Sequence, residues 1–418
     1  MRVIVLSWEY PPENIGGLGR HVWGLTWALA RQGFEVHVIC PGVEGERSKQ
    51  YRRGLYVHRA RPYSLTTPGF IPQVLQQNVS LLECAASLIY TLKQVDLIHA
   101  HDWLVTYVAQ ALKHAYRLPL VATIHATEYG RNHGLHTEEQ RFIGSVEWWL
   151  VYEAWRVICC SNFMQDELQR VFQLPVDKIT MISNGINLDE FRVDPRLQPY
   201  LKDFRHQYAH PEEKIVLCVA RLVHEKGVQV LLEALPRVLA VYPQTKLVIV
   251  GRGPGEGYLK HRAGQLGITH QVYFTGYIDD QTRNQLYQSA TVAVFPSLYE
   301  PFGIVALEAM AAGVPVVVSD TGGISEIVKH GVDGLKAATG SADSLATQII
   351  EILTNPDLGQ RLQAKAYQKV STRFTWDEVA RQTGHLYVQV KEAWAQSDWG
   401  KDSPLFVPFL RRTILRGV

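Results

Sequence analysis

Short apolar runs of strand type alternate along this chain with longer stretches whose apolar residues recur at helical spacing. Val3 to Ser7 reads as a first strand, Val22 to Gln32 as a helix stopped by Gly33, and Glu35 to Cys40 as a second strand. Leu97 to Ala100, Leu120 to His125, Val157 to Cys160 and Ile179 to Ser183 repeat the strand signal. From Asn187 to Glu213 prolines and charges dominate, and the stretch reads as a linker. The alternation then restarts with Ile215 to Ala220, Leu247 to Val250, Val272 to Phe274, Val292 to Phe295 and Val314 to Ser319. This predicts an α/β protein of two doubly wound, Rossmann-like domains, 1–190 and 191–372, facing across a cleft. In such sheets ligands bind beyond the carboxyl ends of the strands, so chemistry is sought in the loops that follow them.

The second half carries the stronger loops. Glu300-Pro-Phe-Gly303-Ile304-Val305-Ala-Leu-Glu308 follows the strand ending at Phe295, and a helix is expected to begin near Gly303. The first amides of that helix are unpaired and lie at the positive end of its dipole, which suits a diphosphate. Glu300 and Glu308 can accept hydrogen bonds from the hydroxyls of a sugar and a ribose, although exposed acids are common without any such role. Arg221 and Lys226 share a strand-to-helix loop, where two cations can neutralise a departing phosphate. Gly251-Arg-Gly253-Pro-Gly255 follows another strand and either admits a ligand or marks an ordinary turn.

In the first half, Asn14-Ile15-Gly16-Gly17-Leu18-Gly19-Arg20 joins a strand to a helix. Val22 stands where a dinucleotide fingerprint has its third glycine, and Cys40-Pro41 ends the second strand where an acid belongs, so an oxidoreductase reading is weak. The loop's amides can still hold a sugar or its phosphate. His99-Ala-His101-Asp102 and His125 lie at strand ends, with His99 and His101 expected to point apart, which argues against a metal. No Asp-x-Asp occurs, so the usual metal–diphosphate clamp is missing.

Composition narrows this picture without redirecting it. With 42 Lys and Arg against 40 Asp and Glu, the chain lacks the basic excess of a nucleic-acid binder. The five cysteines form no Cys-x-x-Cys and fit buried thiols in a reducing compartment. No apolar run suits a secretory signal or a membrane span, so a cytoplasmic protein without membrane association is expected. The apolar and basic tail Leu405 to Arg412 reads as a packed or frayed terminus.

Taken together these residues resemble family 4 of the retaining glycosyltransferases, which have the GT-B architecture. The resemblance rests on Gly16-Gly17-Leu18-Gly19, the His101-Asp102 segment, His125, Ser183-Asn184-Gly185, Arg221 with Lys226, and Glu300 with Glu308. It implies a nucleotide-sugar donor; the missing Asp-x-Asp and the poor ligand geometry lead to the expectation of no metal or other cofactor. It further implies that Arg221 and Lys226 hold the diphosphate, that Glu308 binds the ribose, and that Glu300 with Gly303, Ile304 and Val305 positions sugar and phosphates. His125 would contact the donor sugar, with Gly17 and Gly251 on the donor side as well. A C-terminal helix and tail over 373–418 would cross back to the first domain.

The expected acceptor is a small sugar phosphate held by Gly16, Arg20, His101, Arg131 and His133, with fructose 6-phosphate leading. His125…Gly130-Arg131-Asn132 is similar to a segment of sucrose-phosphate synthases, with two extra residues after the histidine. Gly16-Gly17-Leu18-Gly19 is closer to the loop of glycogen synthases, which makes elongation of an α-glucan the runner-up. A sugar- or nucleotide-binding protein without chemistry is the alternative of another class. UDP- and ADP-glucose are not separated by sequence, nor is the oligomeric state.

Overall fold

The computed structural model describes residues 1–12, 16–42, 49–63, 65–192 and 200–401. Asn14, Ile15 and the tail from Leu405 to Arg412 lie outside them. The chain divides into two compact units, Met1–Gly185 together with the segment from Trp376, and Ile186–Thr375.

The first unit is built on an eight-stranded sheet. Its strands are β1 (Arg2–Leu6), β2 (Glu35–Pro41), β3 (Lys49–Arg52), β4 (Leu55–Ala60), β5 (Leu97–His101), β6 (Leu120–Ile124), β7 (Arg156–Cys159) and β8 (Ile179–Met181). They lie in the order β3-β4-β2-β1-β5-β6-β7-β8, and only β3 runs antiparallel, against β4. Central β1 pairs Val3 with Val36 on one side and with Leu97 on the other. Val3, Ile4, Val5 and Leu6 are fully buried, as a parallel strand covered on both faces requires, and this is why β1 is an unbroken apolar run. By contrast the edge strand β3 carries Lys49 and Arg52, and β4 beside it alternates buried Leu55 and Val57 with Tyr56 and His58, so neither is an unbroken apolar run.

The second unit holds a six-stranded, wholly parallel sheet. Its strands are β9 (Lys214–Val219), β10 (Thr245–Val250), β11 (Val272–Gly276), β12 (Val292–Phe295), β13 (Val316–Ser319) and the three-residue β14 (Leu335–Ala337). They are ordered β11-β10-β9-β12-β13-β14. Strand order therefore reverses between β9 and β12 here, and between β1 and β5 in the first unit. These reversals open the crevices in which doubly wound sheets bind ligands.

One departure from the sequence reading matters. The stretch expected as linker belongs in part to the second unit: Phe191 is 2% exposed and packs edge-on against Tyr287, and Leu201–His206 is a short helix. A buried aromatic within a polar stretch is easily missed by periodicity. The C-terminal helix Trp376–Gln396 completes the first unit's core. Val379, Ala380, Leu386, Tyr387 and Val390 pack with Val3, Val22 and Leu25. Trp376 fills space left by Gly24 and Gly185, where an added Cβ would come within 2.1 Å and 2.7 Å of its ring. Lys391 pairs with Asp96 at 2.7 Å, and the Trp394 indole donates to Arg117 O at 2.8 Å. Among the described residues no helix is long and apolar enough to cross a membrane.

Candidate active site

In the second unit the loops after β9 and β12 meet at the strand-order reversal. Gly227 makes that approach possible. It has φ +66°, and an added Cβ would lie 1.9 Å from Pro296 O. The Glu225 carbonyl accepts from the amides of Leu298 and Tyr299, at 2.8 and 3.2 Å, which ties the two loops together. As a result Lys226 Nζ donates to Glu300 Oε2 at 2.8 Å across 74 residues of sequence. Ser297 Oγ donates to the same oxygen at 3.1 Å, and Gly323 N–H donates to Glu300 O at 2.8 Å. Glu300 is 7% exposed, so its carboxylate is a fixed feature of the site rather than a solvated acid. Arg221 stands further out: its side chain is 64% exposed and pairs with Glu225 at 3.1 Å.

The helix Ile304–Ala311 begins as expected, with Gly303 at its N-cap. Gly303 has φ +101°, and an added Cβ would press within 2.7 Å of Ile324 Cγ1. The amides of Ile304 and Val305 open this helix, where no partner exists within the helix itself. Glu308 is 3% exposed and accepts from Tyr287 Oη at 3.2 Å, with Arg283 Nε at 3.8 Å. Arg283 in turn pairs with Asp280 at 2.6 Å. Tyr287, Arg283 and Ser297 were not singled out from sequence, because nothing in their spacing sets them apart from an ordinary helix and turn. Gly251 lies in a loop stitched to its neighbour: Leu222 N–H donates to Arg252 O and Gly255 N–H to Leu222 O, both at 2.9 Å. The glycine density after β10 thus has a packing role beside the Arg221 loop.

In the first unit the loop after β1 differs from expectation. Glu9 Oε2 accepts from the amides of Gly16 and Gly19, at 2.8 and 3.2 Å. The loop's amide cradle, which was assigned to substrate through Gly16 and Gly17, is in part filled by a side chain of the same loop. Arg20 sits half-buried in the helix that follows.

The histidines converge rather than diverge. Residues two apart on a strand share a face, and the rings of His99 and His101 are 4.2 Å apart, which corrects the expectation that they point apart. His99 bonds Tyr387 Oη at 2.6 Å and Thr123 Oγ1 at 2.7 Å, and is thereby satisfied in the core. His101 Nδ1 meets His125 Nε2 at 3.1 Å. His21, from the helix Gly17–Arg31, packs against both, and its Nδ1 meets Asn184 Oδ1 at 2.6 Å. The sequence signal for His21 was slight: a histidine beside Val22 on the buried face of that helix. Burial holds all four imidazoles in the neutral form, with His125 lowered to about 3 by burial and then by Arg131.

Asp102 follows β5 with φ +58° and accepts the His125 amide at 2.7 Å. Burial raises its carboxyl to about 6, against the opposing pull of Arg131 and of that amide. Arg131 lies in the short helix Glu128–Asn132, capped by Thr127. Its charge acts on Asp102 and on buried Glu147, whose carboxyl is raised well above the usual range by burial while Arg131 pulls it down. His133, just past the helix, is exposed.

Comparison with known proteins agrees with this architecture. The family model for group 1 glycosyl transferases matches residues 202–369, and that for glycosyltransferase family 4 matches residues 15–190. A glycosyltransferase of Methanocaldococcus jannaschii is 37% identical over 391 residues, covering 93% of this chain and 98% of its own. The glycogen synthase of Mycobacterium tuberculosis is 37% identical over 408 residues, covering 94% and 95%. The structure of sucrose-phosphate synthase from Thermosynechococcus elongatus superposes with a TM-score of 0.80 at 27% identity, over 94% of this chain and 99% of that one. With two Rossmann-like sheets and relatives of this closeness along nearly its whole length, the chain belongs to glycosyltransferase family 4 and has the GT-B fold.

Proposed function

We propose that this protein is a retaining glucosyltransferase that takes glucose from a nucleotide-glucose and adds it to the end of an α-glucan, without a metal ion. The observation that carries the donor half is the Lys226–Glu300 pair at the strand-order reversal of the second unit. A lysine has three N–H donors, and Glu300 takes one, so the ammonium can still meet a phosphate oxygen. Arg221, exposed on the same loop, supplies a second cation. In this reading the C–O bond from sugar to diphosphate breaks through an oxocarbenium-like transition state. The departing phosphate oxygen takes the proton of the acceptor hydroxyl on the same face, so configuration is kept. The protein contributes orientation and charge stabilisation by Lys226, Arg221 and the amides of Ile304 and Val305. Glu300 would orient the sugar and Glu308 the ribose, and His125 would contact the donor sugar.

The acceptor is chosen on the 37% identity, over 94% of this chain, with a glycogen synthase. This reverses the order of preference that the sequence alone suggested. Transfer to fructose 6-phosphate is the second reading, supported by exposed His133, by Arg20 and by the likeness to a sucrose-phosphate synthase. The test offers UDP-glucose and ADP-glucose with a maltooligosaccharide, fructose or fructose 6-phosphate, and follows released nucleotide and product. Stepwise lengthening of the oligosaccharide, undiminished by EDTA, is expected. Product with fructose 6-phosphate alone would move the assignment to the second reading, and a strict need for a divalent ion would overturn the metal-free mechanism.

A further inference from the structure

The first unit contains three imidazoles whose nitrogens converge and whose hydrogen bonding is left incomplete. His21, His101 and His125 each offer a ring nitrogen, and these nitrogens lie within 4.8 Å of one another. His21 and His101 are 3% and 0% exposed, yet Nε2 of each has no hydrogen-bond partner. A buried polar atom left unpaired costs about 1–3 kcal/mol, so two in one place call for an explanation.

The tautomers can be worked out from the partners. Asn184 Oδ1 is an acceptor, so His21 donates from Nδ1–H at 2.6 Å, and its Nε2 therefore carries a lone pair. His101 Nδ1 and His125 Nε2, 3.1 Å apart, share a single proton, and with His101 Nδ1–H as the donor the unpartnered His101 Nε2 carries a lone pair as His21 Nε2 does. In that tautomer two buried ring nitrogens, His21 Nε2 and His101 Nε2, hold lone pairs that no donor meets. A ligand that satisfies them must be electron-poor and small enough for a closed site. His99 is outside the set, because both of its nitrogens are already paired.

We propose that His21, His101 and His125 bind one divalent transition-metal ion of the zinc type. Three neutral imidazoles with one position left for water form a familiar zinc donor set. The hydrogen bond from His21 Nδ1–H to Asn184 is the kind of outer contact that fixes a ligating histidine's tautomer and ring plane. Zn–N bonds of about 2.0–2.1 Å require nitrogens roughly 3.3–3.4 Å apart, so a pair at the 4.8 Å limit has to close by about 1.5 Å through ring rotation. Mg²⁺ and Ca²⁺ prefer oxygen ligands and are not expected to bind here.

The ion is an antagonist of transfer, not a cofactor for it. His125 is the residue assigned to the donor sugar, and an imidazole that holds a metal cannot also serve a sugar hydroxyl through the same nitrogen. That consequence rests on the proposed function; the site itself does not, and binding is therefore the primary readout.

The whole protein, stripped with a chelator, is titrated with Co²⁺ and its visible d–d absorption recorded, and Zn²⁺ is then added in competition. One equivalent of Co²⁺ giving intense low-symmetry bands that one equivalent of Zn²⁺ abolishes is the expected result. His21→Phe should weaken binding at least tenfold, and Asn184→Leu about 10–100-fold, as loss of an outer-shell contact does. His99→Gln, which touches none of the three donor nitrogens' free positions, should keep it, and circular dichroism establishes that each variant is folded. Absence of stoichiometric binding by the wild-type protein overturns the proposal whatever the variants do. Binding that survives in folded His21→Phe overturns it as well. If the metal binds as described but transfer is unaffected, the site stands and the role assigned to His125 falls.

Discussion

Lys226 and Glu300 show how far single residues can be read. Their chemistry was legible because both sit in strand-to-helix loops, where a charged residue in a motif has a limited set of uses. Lys226→Ala should lower kcat by about 10²–10³ in a folded protein, the effect of removing one donor to developing negative charge. Normal turnover in that variant would remove Lys226 from the mechanism. Glu308 calls for a different pair of measurements. Its carboxylate is buried against Tyr287 and Arg283. Glu308→Ala should therefore raise KM for the donor, as a contact present in both ground and transition states does. It should also lower the melting temperature, because Arg283, 5% exposed, loses part of its charge compensation. A fall in kcat alone, with melting unchanged, would show that the roles of the two acids are exchanged. His21 marks the limit of such reading. It stands 80 or more positions from its partners, and no local pattern tells a ligand from a core histidine.

At the scale of elements, the turn that precedes a helix decides where the lysine points. Gly227→Ala would place a methyl against Pro296 O at a backbone conformation that only glycine adopts freely. The loops after β9 and β12 would then part, at a cost of at least about 1–3 kcal/mol. Turnover should fall together with stability, since Lys226 moves with the turn. Gly257→Ala is the matched control. It lies within the helix Glu256–Gln265, and an added Cβ meets nothing within 4 Å. There the change should be neutral or stabilising by about 0.5–1 kcal/mol. Thermal melting of the two variants checks both statements, and equal destabilisation would show that the Gly227 turn is not specially constrained. The glycine-rich loop at Gly16 was legible as a loop. That Glu9 would take up its amides was not, since any acid or anion nearby could have done so.

For the whole molecule, acid sensitivity follows from the buried histidines. His21, His99, His101 and His125 are held neutral by burial, as are His37 and His58, the last lowered to about 4 by burial and by neighbouring His37. Each has a folded pKa below its unfolded value near 6.5, so the unfolded chain binds more protons as pH falls. Stability from these groups is present above about pH 6.5 and is lost progressively toward about pH 4 and below. Asp102, raised to about 6 by burial, acts in the opposite sense and offsets part of this below about pH 6, and Glu147, raised well above the usual carboxylate range by burial, acts in the same sense as Asp102. Melting temperatures should accordingly be flat above about pH 7 and fall as the histidines charge. A melting temperature unchanged between about pH 7.5 and 5 would contradict the burial of the cluster. Removal of the chain from Trp376 onward is a second test. It would uncover Val22, Leu25 and the Tyr387 side of His99, so the shortened protein should lose cooperative melting of its first unit. Retention of a native-like melt would show that the helix Trp376–Gln396 is an accessory.

The sequence by itself determined the class of fold, the main strands and the loops that carry chemistry. These follow from local rules: strands covered on both faces must be apolar throughout, and helix starts and turns need particular residues within a few positions. Val3 to Leu6, Gly303 with Ile304, and the run containing Arg221 and Lys226 were legible for that reason. Only the tertiary structure decided what those residues meet. Strand order put the loops of β9 and β12 side by side and so paired Lys226 with Glu300, and it brought His21 to His101 and His125. It also placed Tyr387 of the last long helix against His99. Such contacts join positions far apart in the chain, and they are selected by packing and by the need to satisfy buried polar groups, neither of which leaves a periodic mark on the sequence.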